Sequence, residues 1–293
     1  MTALRALLAG IVDYAGLFPP AGLDLPAAVS NYAAYRASDD AWMLGRFVVP
    51  MARLDELTAL LAASHRRESS PWRLAALAGD DVARDLTRAR EFNGSNEHLA
   101  LVDCVEGKLA DRNAIERAAD ASGELELFAE LPAGVDPAPL VEILARRGVH
   151  AKLRTGGVTA NAFPPTPGVV RFLRACIDTG VAFKATAGLH HPITAIYPLT
   201  YASGAAAHRM FGFMNLFVAA AALAEGIANQ DAALLLDEAE ATAFTVTRHA
   251  IRWRDCELTA AALEGARRRV VRSFGSCSFR EPVDGVAQLW AAA

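Results

Sequence analysis

Apolar residues recur along this chain in two rhythms. Short runs that are apolar or alternate apolar with polar occur at Ala9–Tyr14, Arg46–Pro50, Arg73–Gly79, His98–Val105 and Leu125–Leu131, and again at His150–Gly157 and Ala182–His191, each of the last two a strand ending in glycine. Between them lie segments with helical spacing: Leu25–Tyr35, Leu54–Ser64, a helix opening at the acidic pair Asp80-Asp81, Asp111–Ala121, Pro137–Arg147 and Pro167–Gly180. The polar link His65–Pro71 separates the second helix from the third strand. Gly180 suits the C-terminus of its helix, because a left-handed residue there carries no side-chain penalty.

Strand and helix alternating seven times, with short connections, predicts a parallel sheet covered by helices. Seven units in series point to the α/β class and a closed (β/α)8 TIM barrel in one domain over residues 1–293. An open doubly wound sheet has little support, since no Gly-x-Gly-x-x-Gly follows the first strand. After His191 the rhythm breaks. Residues 192–257 hold an apolar helix near Phe211–Ala224, a helical run at Asp231–Ala239 and a hairpin around Phe244–Trp253, which predicts an inserted helical subdomain or lid between strands 7 and 8. The helix Thr259–Arg268 follows, Val270–Phe274 is the expected eighth strand, and Pro282 suits the first turn of a last helix.

Alternation decides which side chains share a face. His150, Lys152 and Arg154 point one way and Ala151 and Leu153 the other, while Lys184 goes with Thr186, opposite Phe183 and Ala185. In a barrel the C-terminal strand ends form the active face. Asp13, Asp103, Glu130, Lys152, Arg154 and Lys184 are all expected there. A second ammonium on the adjacent strand, with apolar surroundings, would lower a lysine's pKa and free it as a nucleophile. A lysine pair in a barrel mouth therefore suits Schiff-base chemistry on a carbonyl, with Asp103 and Glu130 relaying protons. The bland alternative is that the lysines only form inward salt bridges with those acids.

At these residues the sequence resembles the deoxyribose-phosphate aldolase type of class I aldolase. Lys152-Leu-Arg-Thr155-Gly156 is similar to that family's Lys-x-x-Thr-Gly, and Phe183-Lys-Ala-Thr-Ala-Gly-Leu-His190 is similar to its Val-Lys-Ala-Ser-Gly-Gly-Ile-Arg. Val102-Asp-Cys-Val105 resembles its Val-Asp-x-Val, Ala129-Glu-Leu131 its Ile-Glu-Thr strand, and Phe274-Gly-Ser-Cys-Ser278 its last strand and phosphate loop. The matches run in order over roughly residues 99–280. The resemblance implies that Lys152 forms the Schiff base, Lys184 tunes it, Asp103 assists carbinolamine chemistry, and Gly275, Ser276 and Ser278 hold a phosphate. Arg154 beside the nucleophile, and the sixty-odd residues after His191, have no counterpart in that family. An arginine fork there suits a carboxylate or phosphate on the substrate.

The expected ligand is accordingly a small anionic aldehyde or ketone, an oxo acid or sugar phosphate, with no cofactor. Asp13, Thr155, Gly156, Gly157, Thr186, Gly188 and His190 complete the expected binding set, the glycines offering backbone amides to an anion. Cys277 reads as a structural thiol. Two rival readings remain: a divalent-metal isomerase or hydrolase using His190 and His191 with Glu130 and Asp13, and a non-catalytic barrel that binds a small anion. Adjacent histidines could both ligate only where the chain has turned into loop near Pro192. His208 and Arg209 reach the site only if the insertion folds over it.

Composition narrows the setting. A net charge of -4 with no basic run interleaved with aromatics argues against nucleic acid. Four scattered cysteines without a CxxC pair favour reduced thiols and a cytoplasmic location. The apolar start is interrupted at Asp13 and reads as part of the fold. The fourteen-residue apolar stretch at Phe211 contains Asn215 and is too short to span a bilayer. A homo-oligomer is compatible with all of this.

Overall fold

The structure, a computed structural model, describes residues 1–63 and 70–290. Ser64 and most of the expected polar link after it lie outside the described residues. Eight strands close into an all-parallel barrel: β1 (Val12–Tyr14), β2 (Leu44–Pro50), β3 (Trp72–Leu77), β4 (Ala100–Lys108), β5 (Glu126–Glu130), β6 (His150–Arg154), β7 (Phe183–Thr186) and β8 (Val271–Ser276). Each strand pairs with the next in sequence, and β8 pairs with β1. The (β/α)8 TIM barrel expected from the alternation is the fold.

The helices are α1 (Ala3–Leu8), α2 (Leu25–Arg36), α3 (Leu54–Ala63), α4 (Val82–Asn96), α5 (Arg112–Ser122), α6 (Ala138–Arg147), α7 (Thr166–Thr179), α8 (Phe213–Ala224), α9 (Asn229–Asp237), α10 (Ala260–Arg269) and α11 (Arg280–Trp290). Local chemistry fixes their ends. Asp24, Asp81, Asp111 and Thr259 accept the amides of Ala27, Arg84, Ala114 and Ala262, satisfying donors that the first helical turn leaves open. Gly148 and Gly180 end α6 and α7 in the left-handed conformation.

Three boundaries differ from the sequence reading in ways that matter. Residues 3–8 form a helix, so β1 is confined to Val12–Tyr14. β4 runs three residues past Val105, which carries Glu106 into the strand. β8 is a strand through Ser276 and does not continue the helix before it. β4 also slips register against β3, with Leu74 opposite Val102 but Ala75 opposite Cys104, so Asp103 is the extra residue of a bulge.

Residues 192–257 divide among three places, and the expected single insertion is corrected accordingly. A hairpin, Ala195–Pro198 with Ala207–Met210, stands at the mouth beyond β7. α8 is the barrel's own helix after β7: its residues from Phe213 to Leu223 are buried, and Phe213 and Phe217 stack on Phe274 and Phe183 of the barrel wall. A three-stranded antiparallel sheet, Phe244–Val246, Ala250–Trp253 and Cys256–Thr259, packs with α1 at the barrel's other end, where Arg248 accepts the Ala3 amide. No helix of the described residues is long and apolar enough to cross a membrane.

Asn215 explains why a polar residue sits inside so apolar a helix. Fully buried, it accepts the Thr194 amide at 2.9 Å and donates to the carbonyls of Leu235 and Glu238, both at 2.8 Å. It thereby fastens α8 to α9 and to the root of the hairpin. Asn215→Leu strands three buried backbone groups and is expected to destabilise the fold by about 3 kcal/mol or more, read as a lowered denaturant midpoint.

Candidate active site

The strand ends bring six charged side chains into one chain of alternating sign. Register places Glu130, Lys152 and Lys184 side by side on β5, β6 and β7. Asp13 accepts from Lys184 Nζ at 2.7 Å, and Lys184 also reaches Glu106 Oε1. Lys152 Nζ lies 2.8 Å from Glu106 Oε2 and 2.9 Å from Glu130 Oε2, and Arg154 Nε lies 2.9 Å from Glu130 Oε1. The order is Asp13, Lys184, Glu106, Lys152, Glu130, Arg154. Each lysine is held between two carboxylates, and the two lysines share Glu106, one on each oxygen.

Burial makes these contacts strong and sets the protonation states. Burial alone would raise the Glu106 pKa, but the ammoniums of Lys152 and Lys184 outweigh it and hold the carboxyl at about 2. Burial alone would lower both lysines. The carboxylates of Glu106 and Glu130 outweigh it at Lys152, as those of Asp13 and Glu106 do at Lys184, and both pKa values are raised. The sequence reading expected the second ammonium to depress the first. The direction is the opposite, because a carboxylate stands between the two amines.

A cavity of about 270 Å³ opens above this chain. Lys152, Glu106, Arg154, Gly157, Thr186, Gly275, His190 and Cys277 line it together with an apolar wall from Ala15, Phe18, Pro19, Val48, Leu77 and Val158. Lys184 is 0% exposed and does not line it, whereas Lys152 reaches it with 5% exposure. Beneath the amines, Val48, Ala75, Cys104 and Phe128 form a small apolar layer, with Lys184 Nζ 5.5 Å from the Phe128 ring centroid.

Several expected site residues are elsewhere. Asp103 belongs to the N-terminal end of the barrel, where its carboxylate takes Arg46 Nε and Arg73 Nε, while Arg46 also reaches Glu126. The bulge at Val102–Cys104 shifts the strand's phase, so Glu106 and not Asp103 meets the lysines. Asp13 is sealed beneath the cavity by Lys184, the Ser273 hydroxyl at 2.6 Å and the Arg46 amide at 2.7 Å. That last approach needs a glycine at position 45, where a Cβ would sit 2.4 Å from Asp13 Oδ1.

The expected anion loops are occupied by their own bonds. Thr155 is buried and donates to the carbonyls of Thr186 and Ala187. Gly156 and Gly188 face the Phe163 ring, and Gly188 turns with φ +72°. Ser276 Oγ accepts the Ser278 amide, and Ser278 Oγ accepts the Glu281 amide at 3.2 Å, capping the first turn of α11. Of the expected binding set, Arg154, Gly157, Thr186, His190 and Gly275 line the cavity. Ala187, which also lines it, holds φ +63°, a conformation that costs an alanine about 1 kcal/mol.

The four residues of the metal reading turn to different partners. His190 Nδ1 lies 3.2 Å from Glu281, His191 stacks on Tyr197 with centroids 3.7 Å apart, and Glu130 and Asp13 hold the lysines. Among the described residues no group of three or more His, Cys, Asp or Glu is placed to hold a metal ion. His208 packs on Phe163 and Arg209 pairs with Asp237, so neither reaches the cavity.

Sequence reasoning missed Glu106, Glu281 and Tyr201. Glu106 carried no signal in the strand's own pattern, since counting by twos from Asp103 turns it to the opposite face and the bulge against β3 turns it inward. Glu281 and Tyr201 come from α11 and the hairpin tip, and no local pattern joins them to His190. Comparison with family models, curated proteins and solved structures yields no match.

Glu106→Gln removes the shared carboxylate from two buried ammoniums and is expected to destabilise the fold by about 3–5 kcal/mol. The sign of its pH dependence follows from the lowered pKa: the contribution is complete above the ordinary value of 4.5 and is lost as pH falls toward about 2. Melting temperatures from pH 6 to pH 2 should therefore fall more steeply for the wild-type chain than for Glu106→Gln.

Proposed function

We propose that this chain is a Schiff-base carbon–carbon lyase, similar to the class I aldolases, acting on a small anionic aldehyde or ketone. The observation that carries the reading is Lys152: it lines the cavity from within an ion chain that Lys184 continues out of reach of substrate. The whole chain has only three lysines, Lys108, Lys152 and Lys184, among 29 basic residues. Two of the three lysine side chains thus meet at this barrel mouth, and of the two Lys152 lines the cavity. Arginine cannot replace them, because its guanidinium does not give up its proton.

The raised lysine pKa bears on the mechanism in two ways. It slows the first step, since only the neutral amine attacks. Glu130, 2.9 Å from Nζ, is the carboxylate through which the ammonium proton leaves as substrate enters, and its lowered pKa means that it passes the proton on and does not keep it. The raised lysine pKa does not penalise the product of condensation in the same way. An iminium keeps a single positive charge on that nitrogen, so Glu106 and Glu130 still face a cation, although only one N–H remains to donate to them. The iminium then withdraws the electrons of the adjacent carbon–carbon bond. Arg154, exposed at the rim and held by Glu130, is placed to receive the anionic end.

A second reading has a specific observation in its favour. If Lys152 keeps its proton throughout, as its two carboxylates encourage, it polarises a substrate carbonyl by hydrogen bonding. Glu130 then removes an α-proton, and the reaction is an enolisation without a covalent intermediate.

Borohydride separates the two. With carbonyl substrates such as pyruvate, dihydroxyacetone phosphate and glycolaldehyde, reduction should leave a covalent mass on Lys152 that disappears in Lys152→Met. Lys184→Met should keep the site of modification but slow it. No adduct with any carbonyl, alongside α-proton exchange in D₂O, would sink the Schiff-base reading and leave the enolisation.

A further inference from the structure

Iminium formation needs an acid that the ion chain does not supply. When a carbinolamine collapses, its C–O bond breaks, the nitrogen lone pair forms C=N, and the oxygen leaves as water only if a proton reaches it. Asp103 is remote. Glu130 is a poor proton holder, because Lys152 and Arg154 engage its two oxygens and their charges, against its burial, lower its pKa. Glu106 is bound on both oxygens in the same way.

We propose that His190 is the catalytic acid of this cavity, its Nδ1 anchored by Glu281 and its Nε2 delivering the proton to the departing carbinolamine oxygen. This rests on the Schiff-base reading above. His190 lines the same cavity as Lys152 and follows β7 by four residues. Its Nδ1 lies 3.2 Å from Glu281 Oε2 and 3.9 Å from Cys277 Sγ. Both contacts use one nitrogen. Among the described residues Nε2 has no protein partner, and it is not among the buried unsatisfied atoms, so it is the nitrogen left for substrate.

A carboxylate on Nδ1 fixes the ring and keeps the proton there, so the working nitrogen is Nε2: donor when the ring is charged, acceptor when it is neutral. Glu281 is itself oriented. The Tyr201 hydroxyl, from the hairpin tip, lies 3.1 Å from Glu281 Oε2 and 3.5 Å from Cys277 Sγ. Tyr201, Glu281 and His190 thus form a relay from the hairpin and α11 to the cavity wall, and Glu281 and Tyr201 are positioning residues.

The groups facing His190 are Glu281, Cys277, Tyr201 through those two, and His191, whose ring centroid is 6.4 Å away. Burial lowers the His190 pKa, but the contacts with Cys277 and Glu281 outweigh it and raise the ring to about 9. At neutral pH it therefore holds the proton the step needs. The transfer balances: carbinolamine and imidazolium give iminium, water and neutral imidazole, with one positive charge before and after.

The test times the appearance of the borohydride-trapped Lys152 adduct, using whichever of pyruvate, dihydroxyacetone phosphate or glycolaldehyde reacts fastest with the wild-type chain. His190→Gln is expected to slow adduct formation by roughly 10²- to 10⁴-fold, with folding checked by circular dichroism. Glu281→Gln and Tyr201→Phe, which leave the imidazole in place, should slow it less. In the ring ¹⁵N titration of the unliganded chain, Glu281→Gln should move the His190 midpoint from about 9 toward 6.5. A wild-type adduct that forms as fast in folded His190→Gln overturns the acid and leaves the lyase standing. No wild-type adduct overturns the lyase and the acid with it. A His190 midpoint unmoved by Glu281→Gln overturns the relay.

Discussion

Glu106 is the constraint on which this site depends. A carboxylate with both oxygens committed to different ammoniums ties two lysines of adjacent strands together, and each lysine has a second carboxylate beyond it, Asp13 for Lys184 and Glu130 for Lys152. Burying one ion is expensive, and burying four, Asp13, Lys184, Glu106 and Lys152, becomes tolerable where each meets an opposite charge on the sides that water has left. The linear order from Asp13 to Arg154 meets that condition with three anions and three cations. Removing any interior member exposes the charges on both sides of it.

The barrel interior is layered around this chain. At the N-terminal end, Arg46, Asp103 and Glu126 form a separate ion cluster, and Arg73 joins it from the rim. Phe128, Cys104, Ala75 and Val48 separate it from the lysines. The apolar layer keeps the two sets of charges from exchanging partners, and it floors the cavity so that Lys152 is approached from one direction. Lys184 lies behind Lys152 and Glu106 with no opening of its own. It shares Glu106 with Lys152, one lysine on each carboxylate oxygen.

Charge conservation reconciles a raised lysine pKa with amine chemistry. On the proposed lyase reading, the carboxylates that keep the resting lysine protonated also face the positive charge of an iminium at the same nitrogen, which has one N–H to donate where the ammonium has three. What the network disfavours is the short-lived neutral amine between them. The proposed reaction then turns on proton movement at the cavity wall, where His190 lies with Glu281 and Tyr201 behind it. The hairpin that brings Tyr201 lies in the stretch after His191 where the alternation of barrel strand and helix breaks.

The barrel, the strand order and the placement of Lys152, Lys184, Glu130 and Arg154 on one face were legible in the chain itself. Each depends on a period of two or of 3.6 residues, and such periods are local properties of the backbone. Asp103 and Glu106 exchanged places because a bulge is set by pairing with β3 and leaves no mark in the pattern of β4 alone. Ser276 and Ser278 resembled an anion loop, but hydroxyls that can bind an anion can equally cap a helix, and only the neighbouring amides decided between them. The alignment of Glu281 and Tyr201 on His190 was decided by tertiary structure too, since it joins three elements that are distant along the chain. Sequence thus determined which side chains face the barrel's axis. The fold determined which of them touch, because contact across a closed sheet depends on register, and register is a property of pairs of strands.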